Sequence, residues 1–278
     1  MSNHDQWTVR RALAQSGLVP IDAQVLLAHA LGRDRAWLSA HATDALDPVA
    51  LDAFFRLAKR RREGEPVAYL TGRREFWGLD LHVDAAVLVP RPETETLVEA
   101  ALARLAHDRA LRVLDLGTGS GAIALALAHE RPAWDLLAVD ASPAALAVAQ
   151  ANAARLALRN VRFARSDWYA DLSADDRFDA IVANPPYVAT GDPHLREGDL
   201  PFEPAVALKA GADGLAALRP IVAGARDRLR EGGWLMVEHG YDQAAAVRAL
   251  FEAHGFERVA SLRDLAGIPR VAAGQAPA

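Results

Sequence analysis

Hydrophobic and polar positions along the chain follow two different periods. Up to about residue 62 the apolar residues recur at helical spacing, most clearly in DAQVLLAHALG (22–32) and DPVALDAFFRLAKRRREG (47–64). Asp22 and Asp47 are predicted to cap these helices, because an aspartate just before a helix accepts hydrogen bonds from its unpaired N–H groups. The pattern predicts a small helical domain over residues 1–72.

From residue 111 onward, short apolar runs alternate with amphipathic stretches. The runs with the length and composition of strands are 112–116, 135–140, 161–166, 178–183, 234–239, 257–262 and 270–274. Helices are predicted over most of the gaps, notably 121–130, 143–157, 214–230 and 241–254. Such alternation builds a parallel sheet with helices on both faces, so residues 90–278 are predicted to form an α/β doubly wound domain. The tail after residue 274 is expected to be unstructured.

A short hairpin is predicted between the two domains. Apolar residues alternate on either side of Gly78, with Phe76 on one arm and Leu79 and Leu81 on the other. Residues 73–89 are therefore assigned as a β-hairpin linker.

The predicted strand 178–183 ends on the unusual segment Asn184-Pro185-Pro186-Tyr187. Two consecutive prolines stiffen the chain and remove two backbone donors, so the segment cannot continue the sheet. Open α/β sheets bind ligands at the carboxyl ends of their strands. There the Asn184 amide, a neighbouring carbonyl and the flat face of Tyr187 suit a small planar polar group, such as an amide or an exocyclic amine. The alternative is a proline-rich strand exit with a buried tyrosine.

A glycine-rich loop joins the first predicted strand of the α/β domain to its helix. Its residues Gly117, Thr118, Gly119, Ser120 and Gly121 would turn tightly and present backbone donors to a ligand at the helix N-terminus. This predicts a nucleotide-like ligand, and the loop also satisfies the relaxed dinucleotide fingerprint.

An acidic residue ends the next strand. Asp140 is well placed to accept hydrogen bonds from both hydroxyls of a ribose, or alternatively to cap the helix that starts at Pro143. Asp115, just before the glycine loop, would repel a pyrophosphate and attract an ammonium group. Asp167 and Trp168, which follow the third strand, could accept from an adenine amine and stack on its ring, although Trp168 could equally be a core residue. These features favour S-adenosylmethionine over a dinucleotide.

Composition narrows the class of protein. No apolar stretch in the 278 residues reaches the ~20 residues that a membrane span needs, and there is no cysteine or signal-peptide pattern. A soluble, cytoplasmic protein without membrane association is predicted. A net charge of −5 argues against direct DNA binding, and scattered histidines predict no metal site. The arginine-rich stretch 56–62 is either a solvated helix face or a partner-binding surface.

Together these motifs resemble those of one family. DLGTGSGAIALALA, Asp140, SDW and NPPY, with PRPETE upstream and DPHLREGDLPFEP (192–204) and VEHG (237–240) downstream, are similar to the PrmC (HemK) family of peptide chain release factor glutamine methyltransferases. The resemblance covers nearly the whole chain. It implies a Rossmann-like class I methyltransferase domain behind a helical substrate-recognition domain.

The resemblance also implies an activity and a division of roles. The expected reaction transfers a methyl group from S-adenosyl-L-methionine to the glutamine amide of the Gly-Gly-Gln loop of class I release factors. Residues 117–121, Asp140, Asp167 and Trp168 would hold the cofactor, with Asn184 next to it, and residues 184–187 would hold the substrate. Our own hypothesis for the catalytic groups is that Asn184 and the Pro185 carbonyl accept the two amide hydrogens while Tyr187 packs on the amide plane.

Two other functions stay open at this point. The same clamp could hold the exocyclic amine of a flipped base in an adenine-N6 DNA methyltransferase, which would need a basic recognition domain. The stretch 56–62 could instead belong to a noncatalytic module that binds a ribosome or a translation factor.

Overall fold

The computed structural model describes residues 6–278, which divide into two compact units at Arg73 and Arg74. Within these residues no helix combines the length and the apolar content needed to cross a lipid bilayer.

The N-terminal unit is helical, as its apolar periodicity predicts. Its helices are α1 (Val9–Gln15), α2 (Pro20–Leu31), α3 (Arg35–Ala40), α4 (Pro48–Arg62) and α5 (Val67–Thr71). Their apolar faces meet in a core of their own around the fully buried Leu26, Leu27 and Phe54.

The two predicted caps of this unit have different outcomes. Asp47 caps α4, and its carboxylate accepts from the N–H groups of Val49 and Ala50, both at 3.0 Å. The prediction for Asp22 is wrong, because α2 begins two residues earlier, at Pro20. A proline has its φ preset for the first helical position and needs no partner for an N–H, so the helix starts there. Asp22 lies in the first turn and pairs instead with Arg61 at 2.7 Å.

The predicted hairpin is present as β1 (Arg73–Phe76) and β2 (Leu79–His82), and Trp77 and Gly78 turn in the left-handed region. Its apolar residues Phe76, Leu79 and Leu81 are buried in a core cluster of the second unit. The His82 backbone donates to and accepts from the Asn152 side chain at 2.7 and 2.9 Å.

The second unit contains a seven-stranded sheet within the described residues, in the order β5-β4-β3-β6-β7-β9-β8. Its strands are β3 (Arg112–Leu116), β4 (Asp135–Asp140), β5 (Val161–Arg165), β6 (Phe178–Ala183), β7 (Leu229–Glu238), β8 (Glu257–Arg263) and β9 (Pro269–Gln275). All neighbours pair in parallel except β9, which runs antiparallel to β7 and β8. The predicted doubly wound α/β class is confirmed.

Helices flank this sheet, and a separate apolar cluster lies on each face. The α-helices of this unit are α6 (Glu95–Arg104), α7 (Ala122–Glu130), α8 (Pro143–Arg155), α9 (Ala205–Leu208), α10 (Leu218–Ala225) and α11 (Ala244–Ala253). The chain builds β3, β4 and β5 outward and then returns to place β6 beside β3. This reversal opens a crevice at the carboxyl ends of β3 and β6, where doubly wound folds bind ligands.

Two predictions for this unit are wrong. The helix expected over 214–230 is limited to α10, because Gly214 turns in the left-handed region and β7 already begins at Leu229. The tail beyond residue 274 is ordered: Gln275 pairs with both neighbouring strands, and the Ala276 N–H donates to the Gly233 carbonyl at 2.8 Å. The tail finds these partners because β9 lies between β7 and β8.

Candidate active site

A cavity of about 540 Å³ opens at the carboxyl ends of the central strands. It is lined by the glycine loop after β3, by Asp140 at the end of β4, by Asp167 and Trp168 after β5, and by the segment after β6. The three stretches predicted to hold the cofactor and the segment predicted to hold the substrate therefore surround one space.

The glycine loop turns through the left-handed region at Gly117, Gly119 and Gly121, with φ values of 72°, 56° and 86°. L-residues rarely adopt this region, so the backbone requires glycine here. A Cβ on Gly121 would also lie 3.0 Å from Cδ1 of Leu125, whereas one on Gly119 would have open space around it. Thr118 and Ser120 are buried and line the cavity with the glycines.

Asp140 connects the loop to the end of β4. Its Oδ2 accepts from the Gly119 N–H at 2.9 Å and its Oδ1 from the Ser142 N–H at 2.8 Å. The N-cap of α8 is Ser142, which accepts from the Ala145 N–H at 3.2 Å, so the capping alternative for Asp140 is wrong. Each carboxylate oxygen keeps further acceptor capacity, and Asp140 lines the cavity.

Asp115 lies at the end of β3 and is completely buried. Its Oδ2 accepts from the Thr118 hydroxyl at 2.7 Å, whereas Oδ1 makes no hydrogen bond of good geometry with the described residues. Burial raises the pKa of this carboxyl to about 7, against the opposing effect of the Thr118 hydrogen bond. Asp115 supports the glycine loop through Thr118.

Asp167 and Trp168, which follow β5, line the cavity in different ways. Asp167 is exposed at the cavity wall. Trp168 has a left-handed backbone, with φ of 48°, and its ring packs partly on the apolar cluster that includes Leu114 and Leu116. The same ring would lie 3.3 Å from a Cβ on Gly117. Trp168 is thus a partial core residue that also lines the cavity, and its stacking on adenine stays a prediction.

The segment after β6 is divided between the cavity and the interior. Asn184, Pro185 and Pro186 line the cavity. The Asn184 side chain donates from Nδ2 to the hydroxyl of Thr94 at 3.0 Å. Tyr187 is not among the lining residues, and its hydroxyl donates to Oε1 of Glu238 at 3.2 Å. Burial raises the pKa of Tyr187 above its ordinary value.

Sequence reasoning assigned no role to Thr94 and Glu238. Thr94 is buried as the last residue of the 3₁₀ turn Pro92–Thr94, directly before α6, and Glu238 is buried at the end of β7. Both lie in segments that carry the family resemblance, PRPETE and VEHG, which was the available signal. Neither segment indicates alone that its polar residue contacts the residues after β6.

A second missed pair joins two further segments beside the cavity. The Glu203 side chain is fully buried and accepts from the Val89 N–H at 3.0 Å and from the Arg91 guanidinium. Burial raises the pKa of Glu203. Arg91 and Pro204 both line the cavity, so this ion pair holds two of its walls together.

The lining residues fit S-adenosylmethionine, which joins an amino acid to a nucleoside. Asp140 and Asp167 provide acceptors for ribose hydroxyls and an amine, while Arg91 and Lys209 provide cations for a carboxylate. The open space at Gly119 lets a ligand approach the backbone, and Trp168 provides an aromatic ring.

Comparison with known proteins agrees with this geometry. Residues 94–198 match the methyltransferase small domain, and residues 7–72 match the PrmC N-terminal domain. The fold is also similar to that of a T. thermophilus 16S rRNA methyltransferase solved with AdoMet and guanosine, which is 24% identical, with a TM-score of 0.56 and coverage of 73% of this chain and 49% of that one.

Two relatives are similar over nearly the whole chain. The release factor glutamine methyltransferase of Xylella fastidiosa (strain Temecula1) is 53% identical, and the match covers 96% of this chain and 96% of that protein. The protein of the same description from Bordetella pertussis (strain Tohama I) is 53% identical, with 94% and 97% covered. S-adenosylmethionine is accordingly the methyl donor. With about half of its residues identical to these relatives over nearly their full length, the chain belongs to the release factor glutamine methyltransferase family.

Proposed function

We propose that this enzyme methylates the side-chain amide nitrogen of the glutamine in the Gly-Gly-Gln loop of class I peptide chain release factors. The observation that carries the proposal is the state of Asn184 at the cavity wall. Its Nδ2 is engaged by Thr94, so its Oδ1 is the atom left to accept from a substrate amide. We expect the enzyme to act in the cytoplasm, where translation terminates, and without direct DNA binding.

The chemistry requires a poor nucleophile to be held in place. The lone pair of a carboxamide nitrogen is delocalised into its carbonyl, and S-adenosylmethionine supplies, when bound, an electrophilic methyl group on a sulfonium. The glycine loop, Asp140, Asp167 and Trp168 would hold this cofactor.

The residues after β6 would then hold the glutamine. Asn184 Oδ1 and the Pro185 carbonyl accept its two amide hydrogens, which orients the nitrogen and favours pyramidalisation. The prolines keep these acceptors rigid. Tyr187 lies behind the clamp with its hydroxyl on Glu238, so its proposed contact with the glutamine amide would be made through the ring. No side chain is assigned as a general base, because an N-protonated amide is acidic enough to lose its proton to solvent.

The activity is tested by incubating the enzyme with methyl-labelled cofactor and a release factor. We expect label on the natural factor and none on a factor whose Gly-Gly-Gln glutamine is replaced by alanine. Equal labelling of both factors would refute the assignment of the target residue.

We also propose that the helical unit recognises the release factor through the exposed side of α4. All four arginines of the stretch 56–62 have intrachain partners: Arg60 binds Glu65, Arg61 binds Asp22, Arg62 donates to the Ser16 carbonyl, and Arg56 binds Asp52. The Arg56–Asp52 pair, at 3.1 Å, is exposed on both sides, with 70% of Arg56 and 67% of Asp52 accessible, and Lys59 is also exposed. Because an exposed i,i+4 pair contributes little and is easily exchanged for another partner, Arg56 and Lys59 are better candidates for a partner than the three arginines that follow.

A double variant tests this surface. Arg56→Ala with Lys59→Ala is expected to raise the KM for an intact release factor and to leave the KM for a short Gly-Gly-Gln peptide unchanged. Arg10→Ala with Arg35→Ala removes the same charge from other exposed positions of the unit and serves as the control. Equal KM values for the two double variants would assign the stretch to a solvated helix face.

A further inference from the structure

A buried polar connection lies behind Asn184. The Asn184 amide donates to Thr94 at 3.0 Å, and the Thr94 hydroxyl also interacts with the Glu238 carboxyl. Tyr187, three residues beyond Asn184, donates to the same carboxyl at 3.2 Å. Thr94 and Glu238 are 4% and 1% exposed, so water competes little for these contacts.

The orientation of the Asn184 amide depends on this connection. The two ends of a carboxamide have nearly the same shape, so packing alone does not decide whether oxygen or nitrogen faces a neighbour. A threonine hydroxyl can accept and also donate one proton. When that proton is directed to a carboxylate, the hydroxyl oxygen can only accept, and Asn184 must present Nδ2 to it.

Glu238 is the group that can impose this direction. An ionised carboxylate only accepts hydrogen bonds, so it draws the protons of both Thr94 and Tyr187 toward itself. Its Oε1 accepts from Tyr187, while Oε2 makes no hydrogen bond of good geometry with the described residues and can take the Thr94 proton. A buried carboxylate oxygen without a partner is costly, which favours rotation of the Thr94 hydroxyl toward it.

We propose that Glu238 is a positioning residue, which acts through Thr94 to keep the Asn184 amide oriented with Oδ1 available to the substrate. Glu238 does not line the cavity, and its effect on the reaction is indirect. The inference rests on the proposed function for its kinetic consequence, whereas the orientation of Asn184 is a property of the enzyme alone.

The charge of Glu238 gives the connection a pH dependence. Burial raises the pKa of this carboxyl to about 7, against the opposing effects of Thr94, Tyr187 and Arg270, while Glu93 adds to the rise. Arg270 lies on β9, Glu93 on the turn before α6, and Tyr187 after β6. Once protonated, Glu238 can donate to Thr94, whose own proton is then free to turn to Asn184.

The orientation is tested without substrate by the side-chain ¹⁵N–¹H signals of Asn184. We expect Thr94→Ser to keep the wild-type shifts and slow amide exchange, because it keeps the hydroxyl. Thr94→Val and Glu238→Gln should both move these signals and speed their exchange at least severalfold, and the wild-type signals should titrate near pH 7. Unchanged Asn184 signals in Glu238→Gln would overturn the proposal.

The kinetic test uses single turnover on the release factor. Thr94→Val and Glu238→Gln should each lower the rate by roughly 10- to 100-fold, less than the ~10²–10³ expected for removing a direct polar contact to the reacting group. Cofactor affinity should change less than about twofold in both variants. Thr94→Ser, which keeps the hydroxyl, should keep the wild-type rate. The wild-type rate should fall as the pH drops through about 7, and Glu238→Gln should lose that dependence.

A double-mutant cycle separates positioning from stability. If Glu238 acts through Asn184, adding Glu238→Gln to Asn184→Ala should lower the rate no further, whereas independent effects would multiply. Multiplied losses would overturn the proposal. A wild-type enzyme that leaves release factors unlabelled would refute the proposed function instead, and the Asn184 signals would still decide the orientation.

Discussion

Replacing Asp140 should weaken both cofactor binding and the glycine loop, and the two effects can be measured separately. In the free enzyme its carboxylate accepts from two backbone N–H groups, those of Gly119 and Ser142. The proposed cofactor site adds hydrogen bonds from the ribose hydroxyls to the same oxygens. Asp140→Ala removes all of these acceptors at once.

The expected sizes follow from the number and type of these bonds. Two half-buried backbone bonds at about 0.5–1.5 kcal/mol each amount to roughly 1–3 kcal/mol of unfolding free energy. A unit of this size loses about 2–4 °C of Tm per kcal/mol, so Tm should fall by several degrees. Ribose hydrogen bonds to a charged acceptor contribute about 1.5–3 kcal/mol, which corresponds to roughly a 10- to 150-fold loss of cofactor affinity.

Calorimetric titration with S-adenosylmethionine and thermal melts without it measure the two effects. The control is Asp135→Ala, which removes a carboxylate from the other end of β4. Asp135 is 46% exposed and pairs with Arg162 at 2.8 Å. We expect unchanged cofactor affinity in this control. A lower Tm with wild-type affinity in Asp140→Ala would make Asp140 a structural residue of the loop and would refute its place in the cofactor site.

Four further variants test neighbouring parts of the site. Asn184→Ala should keep most cofactor affinity and lower turnover by ~10²–10³ in single-turnover methylation. Asn184→Asp keeps an acceptor but loses the donor to Thr94, so turnover should still fall, and near-wild-type rates in both variants would refute the clamp. Trp168→Ala should cost roughly 1–3 kcal/mol of cofactor binding if its ring stacks on adenine, whereas a loss of Tm alone would leave only its core role. Burial raises the pKa of Asp115, so between about pH 4 and pH 7 the native state keeps a proton that the unfolded chain has released. The unfolding free energy should therefore fall as the pH rises through this range. Asp115→Asn should flatten this fall in urea titrations by up to ~1.4 kcal/mol per pH unit, and an unchanged slope would contradict the buried-acid explanation.

The sequence by itself determined the fold class and the parts of the site that are local. Alternating apolar runs and amphipathic stretches predicted all seven strands with ends within one residue, except the start of β7, which lies five residues earlier at Leu229. The central strands β3, β4 and β6 are the clearest, because burial on both faces leaves a continuous apolar run. That the glycine loop and Asp140 line the same cavity could be predicted, because each lies where a strand ends and parallel strands end at the same edge of a sheet. The family resemblance, which the comparisons confirm, rests on the same local motifs.

Only the tertiary structure decided which polar groups contact one another. Asn184 and Thr94 are 90 residues apart in sequence, Tyr187 and Glu238 are 51 apart, and Arg91 and Glu203 are 112 apart. Glu238 reaches Tyr187 because β7 pairs with β6, with Ala183 opposite Val237. A motif gives the type of a side chain, but its hydrogen-bond partner depends on strand order and register, which no single segment encodes. The same reason explains the ordered tail. Gln275 is paired because β9 lies between β7 and β8, and the position of a strand within its sheet cannot be seen in the local sequence pattern.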